Sequence, residues 1–214
     1  MDGTLVDTEP LWFRAESDVV DRLGGTWRHE DQAALVGGNL RRTTRYILDV
    51  TGSDLPDEVV ARQLLDHMAQ LLEHEVSVLP GAAELLGDLH AAGVPCALVT
   101  ATNRRLVEPV LAAVGRHHFA ASVAGDEVRH GKPAPDPYLT AAALLGVDPA
   151  RCVALEDSPT GVASAEAAGC MTVAIPSLLA IAPGPGRVVV SSLREVTLPW
   201  LEQLADQWDT RAAS

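Results

Sequence analysis

The sequence lacks an excess of basic residues. Lys and Arg number 16 among its 214 residues, against 29 Asp and Glu, so the formal net charge is −13. Such a charge repels phosphate polymers and anionic lipid surfaces, which argues against nucleic acid and membrane as the main partners. A small phosphorylated ligand stays compatible, because the local field of a binding site decides its affinity and the total charge does not.

Cysteines and long apolar runs are also scarce. The three cysteines, Cys96, Cys152 and Cys170, are odd in number, lie in apolar stretches and form no CxxC pair. We interpret them as reduced core residues rather than as a disulfide framework or a zinc site. No apolar run approaches the roughly 20 residues of a membrane span, and no signal peptide is recognised. We therefore expect a cytoplasmic protein and favour a monomer.

Lysine is almost absent, since the chain has fifteen arginines and one lysine, Lys132. This bias is typical of genes from GC-rich genomes, and a lysine that persists against it is a candidate functional residue. A plain surface lysine before Pro133 is the alternative, but it leaves the uniqueness of Lys132 unexplained. We therefore treat Lys132 as a predicted site residue.

Short apolar runs alternate with helical segments in the C-terminal two-thirds of the chain. Strands separated by helices form βαβ units, which predicts an α/β, Rossmann-like fold with a parallel sheet. The predicted strands are 94–100, 121–124, 152–155, 172–175 and 188–190. The predicted helices are 104–114, 136–145, 158–168 and 200–208.

The segment 10–78 has a different pattern. It shows helical periodicity and no strand candidate, with helices predicted at 11–23, 41–50 and 57–75. Glycine-containing loops separate these helices. We predict that 10–78 form an inserted α-helical cap, and that 1–9 and 79–214 together form the α/β core.

Polar residues lie at the predicted carboxyl ends of the strands, where parallel α/β sheets bind ligands. Thr100 ends one strand, Lys132 lies in the loop after the next, and Glu156 and Asp157 directly follow another, which ends at Leu155. Asp2 lies where a preceding strand would end. Carboxylates are hard ligands for a divalent cation, and a lysine and a hydroxyl bind phosphate oxygens. The pattern predicts phosphoryl-transfer chemistry.

Four segments, in order, resemble the four motifs of the haloacid dehalogenase-like hydrolases. They are Met1–Glu9 (MDGTLVDTE), Val99–Asn103 (VTATN), Gly131–Pro137 (GKPAPDP) and Leu155–Gly161 (LEDSPTG). Each motif alone is weak evidence, but all four in order are very specific. The predicted helical insertion falls where this family carries its cap. The segment Asp7–Trp12 resembles the branch of sugar phosphatases and β-phosphoglucomutases.

The resemblance implies a Mg²⁺-dependent phosphatase that acts on a small phosphorylated metabolite, and it favours a sugar phosphate as the substrate. It implies Asp2 as the catalytic acid and base, with Lys132 and Thr100 as catalytic groups at the phosphate. The residues implied in substrate binding are Glu9, Thr100, Ala101, Thr102, Asn103 and Lys132. The residues implied in metal binding are Asp2, Glu156 and Asp157.

The family's nucleophile is an aspartate that would immediately precede Met1. We expect the native protein to be longer by about one strand, roughly five residues or more, that ends in this aspartate. The aspartate would form a phosphoaspartyl intermediate. The 214-residue chain is itself expected to be inactive or nearly so, because losing a nucleophile lowers the rate by many orders of magnitude.

Two alternatives to the phosphatase stay open. One is a phosphosugar mutase of the same branch, but those mutases carry a histidine early in the cap, where this chain has Trp12 or a neighbour. The other is a non-catalytic protein that binds a phosphorylated metabolite through Asp2, Lys132 and Asp157. A dehalogenase is disfavoured, because those enzymes do not need a cation site.

Overall fold

The computed structural model describes residues 1–35 and 39–212. Its strands are β1 (Val6–Asp7), β2 (Ser77–Val78), β3 (Ala97–Val99), β4 (Ala121–Val123), β5 (Val153–Glu156), β6 (Met171–Ala174) and β7 (Arg187–Val189). Its helices are α1 (Glu9–Arg22), α2 (His29–Leu35), α3 (Leu40–Thr51), α4 (Asp57–Leu72), α5 (Ala82–Ala91), α6 (Arg104–Val114), α7 (Asp136–Leu145), α8 (Pro159–Ala167) and α9 (Leu198–Ala212).

The C-terminal strands are parallel and alternate with helices, which confirms the predicted α/β class. β3 pairs with β4, and β5, β6 and β7 form a second parallel group in that order. Within the described residues, no strand pairs with the other edge of β3 or of β5. The last residues of β3 and β5 both contact Lys132. The carboxyl ends of the two groups therefore lie side by side.

The described residues between β1 and β2 form the four helices α1–α4 and their connections. α4 packs against α1 and α3, and it also packs against α6 of the α/β part. β1 and β2 pair antiparallel, Val6 with Val78, so the two ends of the helical segment leave from adjacent points. This ribbon was not predicted, because a strand of two residues is too short to show alternation.

Most predicted elements correspond to observed ones. The helices predicted at 104–114 and 136–145 match α6 and α7. Ser158 caps the N-terminus of α8 by accepting a hydrogen bond from the backbone N–H of Gly161. α2 and α5 were not predicted.

The larger hydrophobic core lies between the strands and the helices α5 and α6. Its fully or nearly fully buried members include Leu98, Leu106, Val107, Val110 and Val173. All three cysteines are free thiols, of which Cys170 is buried. Across residues 1–35 and 39–212, no helix combines the length and the apolar character that a membrane span requires.

One carboxyl group is buried inside the helical segment. Glu16, on α1, is 5% exposed. Its Oε2 atom has no hydrogen-bond partner of normal geometry among the described residues, and the same holds for Nε1 of Trp27. Burial is the main cause that raises the pKa of Glu16 to about 7; the Trp27 indole opposes the rise and Glu9 adds to it. The folded protein thus keeps Glu16 neutral where the unfolded chain ionises it.

Glu16→Gln is expected to raise the free energy of unfolding, relative to wild type, more above pH 7 than below pH 4.5. The unfolded chain loses this proton near pH 4.5 and the folded state near 7, so the wild type loses stability as the pH rises between these values. At about 1.4 kcal/mol per pKa unit, the difference in unfolding free energy between variant and wild type should grow by roughly 3 kcal/mol. Urea unfolding at both pH values measures it.

The matched control is Asp21→Asn, which changes an exposed carboxyl group of the same helix. Its effect should stay within about 0.5 kcal/mol at both pH values. A difference between Glu16→Gln and wild type that does not change with pH would contradict the prediction.

Candidate active site

A buried ion pair lies at the centre of the site. Nζ of Lys132 pairs with Oε1 of Glu156, and the two side chains are 8% and 5% exposed. The ammonium also donates to the carbonyl oxygen of Val99 at 3.2 Å. The Tyr138 hydroxyl donates to the same Glu156 oxygen, and Nζ of Lys132 lies 5.2 Å from the centre of the Tyr138 ring. These contacts hold the lysine between the ends of β3 and β5.

A glycine backs the Glu156 carboxylate. A Cβ atom added at Gly161 would lie 1.8 Å from Oε2 of Glu156. The Gly161 backbone is held in place, because its N–H donates to the hydroxyl of Ser158 at 3.1 Å. Both oxygens of Glu156 are thus enclosed by protein, one by Lys132 and Tyr138 and the other by the first turn of α8.

Asp157 lies beside the N-terminal motif. Its Oδ1 accepts from the Thr4 hydroxyl at 3.3 Å, and its Oδ2 accepts from the Ser177 hydroxyl at 2.9 Å. Gly3, at φ +69°, comes so close that an added Cβ would lie 2.2 Å from Oδ2. Burial raises the pKa of Asp157, and the positive amino group of Met1 opposes this rise. The carboxylate therefore lies in a place that favours a neighbouring cation.

Asp2 is held between two threonines. The hydroxyls of Thr8 and Thr102 donate to its Oδ1 and Oδ2, each at 2.7 Å. Thr8 precedes α1, and Thr102 follows β3. Thr100 is 4% exposed, and its hydroxyl oxygen accepts from the backbone N–H of Thr102 at 3.1 Å. The first and second motifs are thereby locked together around one carboxyl group.

A cavity of about 190 Å³ joins these groups. The predicted site residues that line it are Asp2, Glu9, Thr100, Ala101, Thr102, Lys132, Glu156 and Asp157. Other lining residues that were not predicted are Met1, Ser158, Thr160, Ser177, Leu178 and Leu179. Asn103 is not part of the lining: it caps α6 by accepting from the Arg105 N–H, and its amide donates to Asp126 at 2.8 Å.

The three predicted metal ligands do not converge as a group. Within the part of the chain that the structure describes, no three His, Cys, Asp or Glu side chains are grouped closely enough to hold a metal ion. Glu156 is engaged by Lys132 and Tyr138, and Asp2 accepts from two threonine hydroxyls. Asp157 accepts from hydroxyls at 3.3 and 2.9 Å, longer than the two 2.7 Å bonds to Asp2, so it is the carboxylate best placed for a cation.

A larger cleft of about 420 Å³ runs along α3, away from the four motifs. It is lined by Asn39, Arg41, Arg42, Arg45, Tyr46 and Asp49. Arg42 donates to the carbonyl oxygen of Ala34 at 2.9 Å, and Arg45 lies 3.4 Å from Asp57. Because this cleft contains no residue of the four motifs, the smaller cavity is the candidate active site.

Lys132 and Glu156 lie at the carboxyl ends of parallel strands, with the fixed carboxyl group of Asp2 in the same cavity. This is the place where α/β folds bind ligands, and these groups suit phosphoryl transfer. The family model of haloacid dehalogenase-like hydrolases matches residues 1–169. The chain belongs to this family.

Similar proteins place the chain among the phosphatases of the family. The fructose-1-phosphate phosphatase YqaB of Escherichia coli (strain K12) is 35% identical over 170 residues, which cover 79% of this chain and 89% of that protein. Hexitol phosphatase A of the same organism is 35% identical over 176 residues, covering 82% and 80%. The crystal structure of CbbY from Rhodobacter sphaeroides in complex with phosphate has a TM-score of 0.83 at 30% identity, covering 94% and 96%. The prediction of a haloacid dehalogenase-like phosphatase is confirmed.

Gly161→Ala is expected to destabilise the protein by about 1–3 kcal/mol, the usual range for an overpacked core. The new methyl group would meet the Glu156 carboxylate, which cannot move aside because Lys132 and Tyr138 hold it. Gly87→Ala is the matched control, because Gly87 lies within α5 and has open space around an added Cβ. That change should stabilise the helix by up to about 1 kcal/mol. Urea unfolding measures both, and equal stability of the two variants would refute the prediction.

Proposed function

We propose that the protein hydrolyses a phosphate monoester of a small sugar or polyol, with Mg²⁺ and through a phosphoaspartyl intermediate. The observation that carries this proposal is that Lys132, Thr100, Asp2 and Asp157 line one cavity. A fixed cation, a hydroxyl, a proton-transferring acid and a metal-binding carboxylate are the groups that phosphoryl transfer needs around one phosphorus atom. The names of the relatives, a fructose-1-phosphate phosphatase and a hexitol phosphatase, support this substrate class.

Lys132 and Thr100 bind the transferring phosphoryl group. The ammonium of Lys132 stabilises negative charge on the phosphoryl oxygens, and its ion pair with Glu156 keeps it in one position. Thr100 and the segment that follows it, Ala101 and Thr102, contribute hydrogen bonds to the same oxygens.

Asp2 moves the protons. In the first step a carboxylate oxygen attacks phosphorus, the bond to the leaving oxygen breaks, and Asp2 donates its proton to that oxygen. In the second step a water oxygen attacks phosphorus, the phosphoaspartyl bond breaks, and Asp2 accepts a proton from the water. The hydrogen bonds from Thr8 and Thr102 keep the carboxyl group in one orientation for both transfers.

The attacking carboxylate would belong to an aspartate immediately before Met1. Met1 lines the cavity, and its amino group is near enough to Asp157 to lower the pKa of that carboxyl group. A residue joined to Met1 would therefore begin at the cavity that Asp157 also lines. The unpaired edges of β3 and β5 would accept the strand that carries it, since backbone groups at strand edges need partners.

Mg²⁺ would be held by Asp157, the backbone carbonyl of Asp2 and the attacking aspartate. These donors are hard oxygen atoms, which fit Mg²⁺. Asp157 is largely buried, and its side-chain hydrogen-bond partners among the described residues are two hydroxyls. Both features support a cation there. When bound, the ion neutralises charge between the phosphate and the attacking carboxylate.

We assign residues 10–78 to a cap over this site and residues 1–9 and 79–214 to the core. The ribbon of β1 and β2 would carry both connections. Trp12, half-buried against the large core, lies at or next to the position of the histidine of the branch's mutases. Its presence supports hydrolysis rather than transfer of the phosphoryl group to a second hydroxyl.

A chain extended by the codons upstream of Met1 is expected to hydrolyse p-nitrophenyl phosphate and a panel of sugar phosphates in the presence of Mg²⁺. In that chain Asp2→Asn should lower kcat/KM by roughly 10²–10⁴-fold, the usual contribution of a general acid or base. Asp7→Asn, which changes an exposed carboxyl group of the same segment, is the control and should have little effect. An extended chain that binds phosphate but turns over none of the panel would favour the non-catalytic alternative.

Removal of divalent metal with EDTA should abolish hydrolysis by the extended chain, and Mg²⁺ should restore it. Asp157→Asn should raise the Mg²⁺ concentration needed for half-maximal activity, because it removes the charged ligand. Ser177→Ala, which removes a hydroxyl that donates to Asp157, should have a smaller effect in the same direction. Unchanged activity in EDTA would rule out the metal-dependent mechanism.

A further inference from the structure

Glu9 is the point at which the helical segment contacts the cavity. Among the described residues of helices α1–α4, Glu9 is the one that lines it. Gln32, on α2, holds Glu9 across 23 positions of sequence. Its amide nitrogen donates to the backbone oxygen of Glu9 at 3.0 Å and to Oε2 of Glu9 at 3.3 Å. Gln32 was not predicted as a functional residue.

The orientation of the Gln32 amide follows from its partners. Both Glu9 atoms are acceptors, so the NH₂ group must face them and the amide oxygen must face away. This arrangement engages Oε2 of Glu9. Oε1 has no hydrogen-bond partner among the described residues, so it is available to a ligand.

The helix that carries Gln32 is anchored on both sides of it. The ring of His29 stacks on Phe13 with a centroid distance of 4.2 Å. The hydroxyl of Tyr46 donates to Oδ1 of Asp31 at 2.9 Å. The first contact joins α2 to α1 and the second joins it to α3. Gln32 therefore reaches Glu9 from a fixed support.

The surroundings of Glu9 are negative. Burial raises its pKa, and the carboxylates of Asp2, Asp7 and Asp157 raise it further. A leaving group with a carboxylate of its own would meet like charges here, which is unfavourable. A hydroxyl group would instead donate a hydrogen bond to Glu9, and hydrogen bonds to charged acceptors are the strong ones.

We propose that Gln32 is a positioning residue that holds Glu9 for the hydroxyl groups of the leaving group, so that the pair selects neutral polyol phosphates over phosphate esters that carry a carboxylate. The inference rests on the proposed function, because it concerns the leaving-group side of the same cavity. Glu9 contacts the substrate, and Gln32 acts through Glu9. Sites built to hydrogen-bond a substrate hydroxyl discriminate strongly against ligands that lack it.

The test measures dissociation constants by isothermal titration calorimetry, with the 214-residue chain and Mg²⁺. The probes are inorganic phosphate, sorbitol 6-phosphate and 2-phosphoglycolate. The wild type is expected to bind sorbitol 6-phosphate more tightly than 2-phosphoglycolate. Gln32→Ala should weaken the binding of sorbitol 6-phosphate, relative to that of inorganic phosphate, by roughly 3–10-fold, which is the equivalent of one lost hydrogen bond. Glu9→Gln keeps the shape of the side chain and removes its charge. It should reduce the ratio of the dissociation constant of 2-phosphoglycolate to that of sorbitol 6-phosphate.

The control is Gln70→Ala, an exposed glutamine of α4 that does not line the cavity; the ratios of its three dissociation constants should match the wild type. If Gln32 had a merely structural role, Gln32→Ala would weaken the binding of all three probes by the same factor. Unchanged ratios of the three dissociation constants would therefore overturn the inference. Equal binding of the two esters by the wild type would also overturn it, while bound phosphate would leave the proposed phosphate site intact. If the 214-residue chain binds no phosphate, the same ratios are taken from kcat/KM of the extended chain for the two esters. No turnover of either ester by the extended chain would overturn the proposed function, and this inference with it.

Discussion

The ion pair between Lys132 and Glu156 is the contact on which the site depends. It joins the ends of β3 and β5, which share no backbone pairing in the described residues. Removing water from two charges costs several kcal/mol per ion, so a buried pair of this kind is weak evidence for stability. Its effect is positional: Tyr138 and the bare backbone at Gly161 enclose Glu156, and Glu156 holds the one lysine of the chain at one point.

The neighbouring acids Glu156 and Asp157 have different surroundings for a geometric reason. Successive side chains of a strand point to opposite sides, so the last residue of β5 meets Lys132 and the next meets Gly3 and Ser177. The motif places both acids at one strand end, and from that pattern both were predicted to bind metal. The sequence does not reveal which of them turns toward the lysine, because the lysine comes from a loop 24 residues away.

The sequence predicted elements with strong local signals and missed those set by distant contacts. α6 and α7 match their predicted bounds because apolar periodicity and a terminal glycine mark them. α5 was missed although Leu85, Leu86 and Leu89 are buried at helical spacing. α2 buries Leu35 alone, so it has no periodicity to detect. The same limit hid the contact between Gln32 of α2 and Glu9.

The charges of the cavity explain why its acids need different partners. Asp2, Glu9, Glu156 and Asp157 line it together with Lys132, but the charge of Lys132 is already paired with Glu156. Three acids are then left to face a phosphate dianion, so protons or a further cation must offset part of their charge. In the proposed reaction Asp2 carries the proton that the leaving oxygen receives, and Asp157 binds the divalent cation. Glu9 is held by Gln32, and in the proposed reaction it accepts hydrogen bonds from the leaving group. The proposed metal requirement and the proposed preference for a polyol are therefore linked by one feature, an acidic cavity whose single lysine is already paired with Glu156.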